Sequence, residues 1–394
     1  MKILLVNVVY GKGSTGNITQ NLFSSLKGMD SDVSVIFGRG KANKQENVFC
    51  ETIELESKIH HFNSMIFGNI FGGMYFSTKR IISRINKIKP DVVNVHCING
   101  YFVNIFKLLE YLAKNKIKTV LTMHADFMMT GGCGYSLDCE NYLTKKCKNC
   151  KFARDFAGFS CSKCAHRTYL KFEKTISLFN RENLKITTVS DWLTKRYKAS
   201  PIYKDFDICT ILNPVDKEYL GNFGENPYKT KNNILYVTPD IYDHVKSGFL
   251  INDLAKIRKD LHFTVVCAKN IDYKFTEDNI TYIKGGLDKT ELKNFYYYAD
   301  ATVLLSKRET FSMVVAESLV CGTPVYGFKS GGPETIAIDK YCNFFDYGNI
   351  KELAENLLRT TFDKKLIVED AKHKYSIASI SNQYLKIYSF KNNY

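Results

Sequence analysis

The sequence is poor in the features that mark modular, fibrous or membrane-spanning proteins. Only 7 prolines and a single tryptophan occur among its 394 residues, and no low-complexity run interrupts it, which argues against long linkers. No run of about 18 apolar residues is present, so we expect no transmembrane helix. The apolar segment after Met1 is too short for a signal peptide and lacks a small-residue cleavage site. We therefore expect a cytoplasmic protein.

What the chain does have is an ordinary globular composition with a strongly uneven charge. Its length exceeds one compact core and fits two domains of roughly 150–200 residues each. Residues 1–200 carry 30 Lys and Arg against 15 Asp and Glu, whereas residues 201–394 carry 25 of each kind. The formal net charge of +15 therefore arises in the first half. This indicates an anionic partner such as nucleic acid, a phospholipid surface or a polyphosphate, with a merely soluble basic surface as the alternative.

Short apolar runs alternate with amphipathic segments along almost the whole chain. Ten runs have the length and composition of strands: Ile3–Val9, Val33–Phe37, Val92–His96, Thr119–Met123, Ile186–Val189, Ile234–Val237, Phe263–Cys267, Thr281–Ile283, Ala301–Leu305 and Pro324–Phe328. Helical patterns lie between them, as at Val103–Lys114, Gly248–Leu261, Lys289–Tyr298 and Ser312–Cys321. Continuous apolar strands with helical spacers predict parallel sheets that helices cover on both faces.

The alternation breaks at Asn213–Asp216 and at the polar stretch 221–233. We therefore predict an α/β protein of two doubly wound domains that are joined near residue 213. Because such sheets bind ligands at the carboxyl ends of their strands, the cleft between the domains is the expected site.

A glycine-rich loop, Gly11-Lys-Gly13-Ser-Thr-Gly16, follows the first predicted strand and precedes a helix. In that context glycines let the backbone approach a phosphate at the helix N-terminus. No acidic residue closes the second strand, as a nicotinamide site would require, although Arg39 could meet a 2′-phosphate. A loop that serves another ligand is favoured, and an NADP-dependent oxidoreductase stays open as an alternative.

Two histidines, His96 and His124, stand at the ends of predicted strands. A side chain at that position points into the cleft, where histidine can hydrogen-bond a sugar or phosphate oxygen or shuttle a proton. A purely structural role is the alternative for a single strand-end histidine.

Cysteines cluster between residues 133 and 164, in the order Cys133, Cys139, Cys147, Cys150, Cys161 and Cys164. Two C-x-x-C pairs with ten residues between them fit a closed, structural Zn²⁺ site of four thiolates. The predicted ligands are the first four cysteines, with Cys161 and Cys164 as alternative ligands. Buried free thiols and a redox or iron–sulfur role stay open.

The most informative segment runs from Glu309 to Glu317, two carboxylates eight residues apart after a predicted strand. Thr310 or Ser312 can cap a helix that leaves Glu309 in the loop and puts Glu317 in the second turn. Glu317 can then accept hydrogen bonds from a ribose diol, and Glu309 can hold a sugar hydroxyl. The free amides at the helix start would face an anion, with the helix dipole behind them: Phe311, Ser312 and Met313.

This segment and the motifs around it resemble the family 4 retaining glycosyltransferases of the GT-B fold. The likeness is carried by Glu-x7-Glu, by Gly-Thr-Pro-Val at 322–325 and by Gly-Gly-Pro-Glu at 331–334. Similar segments at 13–16, 90–96 and 213–216 extend it over essentially the whole chain. His124, residues 130–133 and the cysteines up to Cys150 resemble a subgroup that serves bacterial exopolysaccharide and O-antigen assembly. Ala125 and Phe127 stand where that subgroup has Asp and Trp.

The resemblance implies two Rossmann-like domains that face each other across a cleft. Residues 1–212 would form an acceptor domain with a cysteine-rich insertion at 133–166, and residues 213–374 a nucleotide-sugar-binding domain. Residues 375–394 would form a C-terminal helix that packs back on the N-terminal domain. The implied reaction moves a hexose, with retention, from a nucleotide-diphosphate sugar to a lipid-diphosphate-linked glycan at the inner membrane surface. No catalytic cofactor and no nucleic-acid partner are implied.

The resemblance also assigns residue roles. Lys246, in Lys-Ser-Gly248, matches the family's diphosphate-binding lysine. The arginine common a few residues upstream is absent, so either the lysine and helix amides suffice or Arg308 helps. Catalytic roles are implied for Glu309, His124 and Lys246. The implied donor-binding residues are Gly13, Lys246, Thr310, Phe311, Ser312, Met313 and Glu317.

Two further points concern partners. A zinc-containing nucleic-acid-binding protein is a second alternative, but the aromatic residues are not interleaved with the basic ones as stacking platforms require. Residues 59–89 place apolar side chains before a basic cluster, which suits peripheral contact with an anionic leaflet. A buried helix followed by a solvated basic one is the alternative there. The apolar members are Phe62, Met65, Ile66, Phe67, Ile70, Phe71, Met74, Tyr75 and Phe76, and the basic members are Lys79, Arg80, Arg84, Lys87 and Lys89.

Overall fold

The chain forms two α/β units, each built on its own parallel sheet. In the computed structural model, which describes residues 1–41, 45–151 and 162–390, the first unit comprises Met1–Leu212 with Ile380–Tyr394, and the second comprises Asn213–Ser379. Neighbouring strands within each sheet pair in parallel. The predicted fold class, two Rossmann-like doubly wound domains, is therefore confirmed.

The first unit contains a seven-stranded sheet. Its strands are β1 (Lys2–Asn7), β2 (Asp32–Phe37), β3 (Val48–Cys50), β4 (Val92–Val95), β5 (Lys118–Met123), β6 (Leu184–Thr188) and β7 (Asp207–Thr210). They lie in the order β3-β2-β1-β4-β5-β6-β7. The helices among its described residues are α1 (Gly13–Lys27), α2 (Glu54–Phe67), α3 (Tyr75–Ile88), α4 (Ile105–Lys114), α5 (Asn141–Thr144), α6 (Ser162–Ile176) and α7 (Asp191–Ala199).

The second unit contains a six-stranded sheet. Its strands are β8 (Asn233–Thr238), β9 (His262–Cys267), β10 (Ile280–Lys284), β11 (Ala301–Leu304), β12 (Val325–Phe328) and β13 (Cys342–Phe345). They lie in the order β10-β9-β8-β11-β12-β13. Its helices are α8 (Leu250–Ile257), α9 (Lys289–Tyr298), α10 (Met313–Val320), α11 (Gly332–Ile336), α12 (Ile350–Asn356) and α13 (Lys364–Lys374), with 3₁₀ turns at Lys217–Tyr219 and Asp339–Tyr341. The last helix of the chain, α14, spans Ile377–Tyr388.

All ten predicted strands are present, with ends shifted by at most two residues. The interior strands β4, β11 and β12 are buried at every residue, which is why their sequences read as continuous apolar runs. Three strands that were not predicted, β3, β7 and β13, each lie at an edge of a sheet. These three edge strands have one neighbour each, are short and are only partly buried, so their apolar pattern is weaker than that of an interior strand; the fourth edge strand, β10, was predicted. Among the described residues, no helix is both long and apolar enough to cross a membrane.

Helix α14 begins in the second unit, and its residues from Ile380 onward belong to the first. Asn94 Nδ2, in the middle of β4, donates to Tyr388 Oη at 2.6 Å. Thr122 Oγ1 donates to Asn94 Oδ1 at 2.9 Å. Both ends of a fully buried amide are thereby satisfied, so the helix supplies a polar contact that the sheet needs.

We expect Tyr388→Phe to destabilise the first unit, because it removes the acceptor of the buried Asn94 N–H while keeping the ring. An unsatisfied buried donor costs about 1–3 kcal/mol, which urea unfolding detects as a lower midpoint. The matched control is Tyr111→Phe, whose hydroxyl donates to Asn86 Oδ1 at the exposed surface and should matter by less than about 0.5 kcal/mol. Equal effects of the two substitutions would show that Tyr388 does not stabilise the Asn94 amide.

Candidate functional site

The second unit brings two loops of predicted importance to one edge of its sheet. Strands β8 and β11 pair in parallel, with Ala301 opposite Ile234 and Thr302 opposite Leu235. The carboxyl ends of parallel neighbours lie at the same edge, so the loop after β8 and the loop after β11 meet there. Lys307 N donates to Val245 O at 2.7 Å and joins the two loops.

Lys246 and Glu309 form an ion pair across this junction. Lys246 Nζ lies 2.5 Å from Glu309 Oε1, and the same oxygen accepts a hydrogen bond from Ser306 Oγ at 2.9 Å. Glu309 and Ser306 are both buried, so little water screens this pair. The structure thus places two of the residues singled out from the sequence, Lys246 and Glu309, in direct contact.

The backbone around Glu309 is held by the glycine turn before α11. Glu309 N donates to Ser330 O and Gly332 N donates to Glu309 O, each at 2.9 Å. A Cβ on Gly332 would lie 2.2 Å from the carbonyl oxygen of Thr310, so only glycine permits this approach. Glu334 completes the turn, because its carboxylate accepts from Gly331 N at 2.9 and 3.0 Å.

The N-terminus of α10 lies close to Glu309 in the chain, because the helix begins four residues later, at Met313. Phe311 and Ser312 precede the helix, and Met313 is its first residue. The predicted side-chain cap is wrong for Ser312, which occupies the N-cap position without a cap hydrogen bond, at φ 77°. A non-glycine residue in that conformation is strained. The buried hydroxyls of Ser312 and Ser330 have no hydrogen-bond partner among the described residues, which is typical of a site that takes a polar ligand.

Glu317 lies in the second turn of α10, as predicted, and accepts a hydrogen bond from Tyr296 Oη at 3.2 Å. Burial raises the pKa of Glu317 from 4.5 to about 7, the Asp216 charge adds to that rise, and Lys289 opposes it. Lys289 Nζ is itself paired with Asp216 Oδ2 at 2.6 Å. The carboxyl therefore changes charge near neutral pH.

In the first unit, the two strand-end histidines are neighbours. His96 follows β4 and His124 follows β5, two strands that pair in parallel. His96 Nδ1 lies 3.2 Å from His124 Nε2. Burial lowers the pKa of His124 to about 4, and burial together with the neighbouring His124 lowers the pKa of His96 well below its usual range. Both rings are therefore neutral at physiological pH.

The glycine loop of the first unit is tied to the sheet. Asn7 Nδ2 donates to Val9 O at 2.8 Å and to Thr15 O at 3.1 Å. Gly13, at φ 62°, begins α1 with open space where a Cβ would point, so the helix start can be approached closely. Arg39, the residue on which an NADP site would depend, pairs with Glu54 at 2.7 Å, and that pairing argues against the oxidoreductase alternative.

The predicted zinc site is not supported. Cys150, Cys147 and Cys139 lie near enough to Cys133 for their charges to add to burial in raising its pKa. Among the described residues, however, no group of three or more His, Cys, Asp or Glu side chains is arranged to hold a metal ion. The sulfur of Cys147 instead accepts a hydrogen bond from Gly131 N at 3.2 Å, and that of Cys164 accepts from Arg167 Nη2 at 3.5 Å. Cys161 lies outside the described residues.

Several residues of these sites carry no sequence signal that separates them from ordinary core positions. Ser306, Tyr296 and Lys289 contact or influence the two glutamates, yet each sits in a segment that reads only as strand end or helix. Asp126 was also missed: it is buried and binds Arg196 Nη2 at 3.2 Å and Ser136 Oγ at 2.8 Å. Its position directly before the apolar run Phe127–Met129 was the available hint, because an aspartate beside buried residues needs a partner.

Residues 267–373 match the family described as Glycosyl transferases group 1, and this segment contains Glu309, Glu317 and the loops around them. Over 98% of its length the chain is similar, at 21% identity, to 99% of an Escherichia coli (strain K12) protein provisionally described as colanic acid biosynthesis glycosyl transferase WcaC. The second unit thus carries a group 1 glycosyltransferase domain, and the protein is an enzyme of the transferase class.

Solved structures resemble the whole chain. Sucrose-phosphate synthase from Thermosynechococcus elongatus has a TM-score of 0.66 at 14% identity, with 98% of each chain covered. HepE from Anabaena, in complex with UDP, has a TM-score of 0.63 at 14% identity, with 99% of this chain and 100% of that chain covered. Its complex with UDP-glucose gives the same score and identity, with 99% of each chain covered. These likenesses identify the fold as GT-B.

We expect Glu317→Gln to stabilise the second unit at about pH 8 and to have little effect near pH 4.5. A carboxyl whose pKa is raised on folding favours the folded state below its unfolded pKa of 4.5, and this contribution is lost as pH rises through about 7. The gain at high pH should reach up to about 3 kcal/mol, measured by urea unfolding. Glu355→Gln, at an exposed position on α12, is the control and should show no such pH dependence. A pH-independent effect of Glu317→Gln would contradict the raised pKa.

Proposed function

We propose that this enzyme is a retaining glycosyltransferase that moves a hexose from a nucleotide-diphosphate sugar to a lipid-diphosphate-linked glycan. The setting would be bacterial surface glycan synthesis: O-antigen, capsule or exopolysaccharide. The observation that carries the proposal is the ion pair between Lys246 and the buried Glu309 at 2.5 Å, beside the N-terminus of α10. The family match over 267–373 and the similarity to the colanic acid protein support it.

The cation and the helix terminus suit the leaving group of such a reaction. A nucleoside diphosphate gains negative charge as the sugar departs, and preorganised positive groups stabilise that charge most. Lys246 supplies an ammonium that is already positioned, and the amides of Phe311, Ser312 and Met313 supply the positive end of a helix dipole. Thr310 and Gly13 would complete the donor contacts. The unpartnered hydroxyls of Ser312 and Ser330 provide further polar contacts.

The two glutamates would serve different parts of the donor. Glu309 and His124 would hold the transferred sugar, and Lys246 would bind the diphosphate. Glu317 would accept hydrogen bonds from the ribose diol, which it does best when ionised. Because its pKa is raised to about 7, donor affinity should rise with pH through the neutral range. The retained stereochemistry is what the family resemblance implies.

An apolar surface in the first unit suits the lipid-linked acceptor and the membrane. The α2–α3 surface, as we call it, comprises exposed large apolar side chains on and beside these helices: Ile53, Leu55, Ile59, Phe62, Ile66, Phe67, Tyr75 and Phe76. Beside them lies a groove with a volume of about 470 Å³, lined mainly by apolar residues. A patch of this kind marks an interaction site. The helix α2 is therefore exposed, in contrast to the alternative of a buried helix.

The basic residues near this surface are only partly available to a membrane. Arg80 pairs with Glu56 and Arg84 pairs with Glu51, each at 2.7 Å. Lys79, Lys87 and Lys89 remain exposed. We therefore propose peripheral contact with the inner face of the cytoplasmic membrane in which insertion of apolar side chains dominates and the lysines add attraction to anionic lipid.

Separate roles for the two glutamates can be tested with UDP and UDP-glucose, the ligands of the structurally similar HepE. Glu317→Ala should weaken both ligands about 10- to 100-fold in isothermal titration, because it loses hydrogen bonds to a charged group. Glu309→Gln should leave UDP affinity unchanged or higher, since it removes the negative charge beside Lys246, yet lower turnover about 100-fold through a misplaced sugar. Lys246→Met should weaken UDP about as much as Glu317→Ala.

Glu355→Ala, on the exposed face of α12, is the matched control and should change neither quantity. A first thermal-shift panel of UDP, GDP, ADP and CMP with their sugars establishes which base to use, because a ligand at 100 times its Kd adds about 2.7 kcal/mol. If no nucleotide binds, or if Glu317→Ala and Glu309→Gln lose UDP affinity equally, the assignment of roles is wrong.

Membrane contact through the α2–α3 surface predicts binding to vesicles of mixed neutral and anionic phospholipid. The double substitution Phe62→Ser and Phe67→Ser should release most of the protein in sedimentation, because each side chain is more than half exposed and available to insert: 63% and 66%. Leu366→Ser, which is 53% exposed in the second unit, is the control. Unchanged binding of the double variant, or no binding of the parent protein to any vesicle, would refute the proposal.

A further inference from the structure

The two histidines at the ends of β4 and β5 are in close contact, and the surroundings of His96 indicate where the ring protons lie. His96 is 2% exposed, and its Nδ1 lies 3.2 Å from Nε2 of His124. The two ring centroids are 5.5 Å apart, with 31° between the planes. This distance and the burial make the contact a hydrogen bond between two imidazoles.

Two neutral imidazoles can share that bond in only two ways. Either His96 Nδ1–H donates to the lone pair of His124 Nε2, or His124 Nε2–H donates to the lone pair of His96 Nδ1. Desolvation lowers the pKa of each ring, and the nearby His124 adds to the effect on His96, so neither ring takes a second proton at neutral pH. Each ring therefore carries one proton, and the choice of which ring donates in this bond fixes the tautomer of both residues.

The other nitrogen of His96 distinguishes the two arrangements. His96 Nε2 is buried and has no hydrogen-bond partner among the described residues. If His96 accepted from His124, this atom would carry a proton and become a buried N–H without an acceptor. Orphaned buried N–H groups are rarer in proteins than unsatisfied acceptors. The arrangement in which His96 carries its proton on Nδ1 is therefore favoured.

We propose that His96 is a positioning residue for His124: it donates Nδ1–H to His124 Nε2 and thereby holds His124 in the tautomer that is protonated on Nδ1. His124 then meets every other group as a hydrogen-bond donor through Nδ1. This positioning role rests on the proposed function, in which His124 holds the transferred sugar. His124 donates to a sugar oxygen rather than removing a proton from the acceptor, because its other nitrogen is already occupied.

The surroundings of His96 keep this arrangement fixed. Its backbone N donates to Val6 O at 2.9 Å, and the ring packs on Tyr384, with centroids 6.2 Å apart. The neighbouring Cys97 N donates to Asn7 Oδ1 at 3.1 Å, which joins this strand end to the glycine loop. The backbone bond and the ring contact with Tyr384 hold His96 in place, with Nδ1 toward His124.

The tautomer can be read directly in the full-length protein. With ¹⁵N-labelled histidine, long-range nitrogen–proton correlation spectra separate protonated ring nitrogens from unprotonated ones, and His124→Gln assigns the His124 signals. We expect a protonated Nδ1 and an unprotonated Nε2 on His124, without nucleotide or acceptor present. The reverse pattern, or averaging between the two tautomers, would overturn the inference.

Two substitutions of His96 then connect the tautomer with turnover. His96→Asn places an amide N–H close to the position of the lost Nδ1–H, whereas His96→Leu offers no donor. We expect His96→Asn to keep the His124 tautomer and most of the activity. His96→Leu should mix the tautomers and lower kcat about tenfold, as loss of one hydrogen bond does, with UDP affinity unchanged. If His96→Leu does not fold, the parent spectrum and the His96→Asn variant still test whether His96 sets the tautomer of His124.

The two ideas fail in different ways. A wrong His124 tautomer in the parent protein overturns the positioning role of His96, whatever the enzyme transfers. The expected tautomer together with full activity of a folded His96→Leu variant would instead overturn the sugar-holding role of His124, and with it that part of the proposed function.

Discussion

The parallel pairing of β8 with β11 is the interaction on which the candidate site depends. It brings the loop that carries Lys246 beside the loop that carries Glu309 and allows their 2.5 Å contact. The two residues are 63 positions apart in the chain, so no local pattern could join them. Gly332 then fixes the second loop, because its missing Cβ lets the turn before α11 lie against Thr310. Charge, backbone and helix dipole are thus directed at one place by sheet topology.

The candidate site is arranged at the expense of local stability. Ser312 adopts a strained conformation at φ 77°, and its buried hydroxyl and that of Ser330 lack partners. The carboxyl of Glu317 is buried enough to raise its pKa to about 7. Each of these features disfavours folding, and each is expected where groups are held ready for a ligand rather than for one another.

The burial of each strand determines how well the sequence could predict it. Interior strands such as β4 and β11 are covered on both faces, so their apolar runs revealed them, whereas β3, β7 and β13 at the edges gave no such signal. The glutamate pair stood out because motif and context occur together, but Ser306 and Tyr296 act through contacts that form only on folding. The cysteine spacing suggested zinc, yet spacing along the chain does not determine whether neighbouring thiols adopt a metal-binding geometry, and those of the described residues form no such group.

The uneven charge of the two halves of the chain can be compared with the positions of the candidate sites. The groups suited to a donor diphosphate, Lys246 and the start of α10, lie in the half of the chain where 25 basic residues balance 25 acidic ones. The excess of positive charge lies in the other half, 30 against 15, together with the exposed apolar side chains of α2 and α3. A donor anion therefore does not account for the net charge of +15. The proposed acceptor would account for it, because a lipid-linked diphosphate in an anionic leaflet combines negative charge with an apolar part, and one surface would then satisfy both long-range attraction and burial.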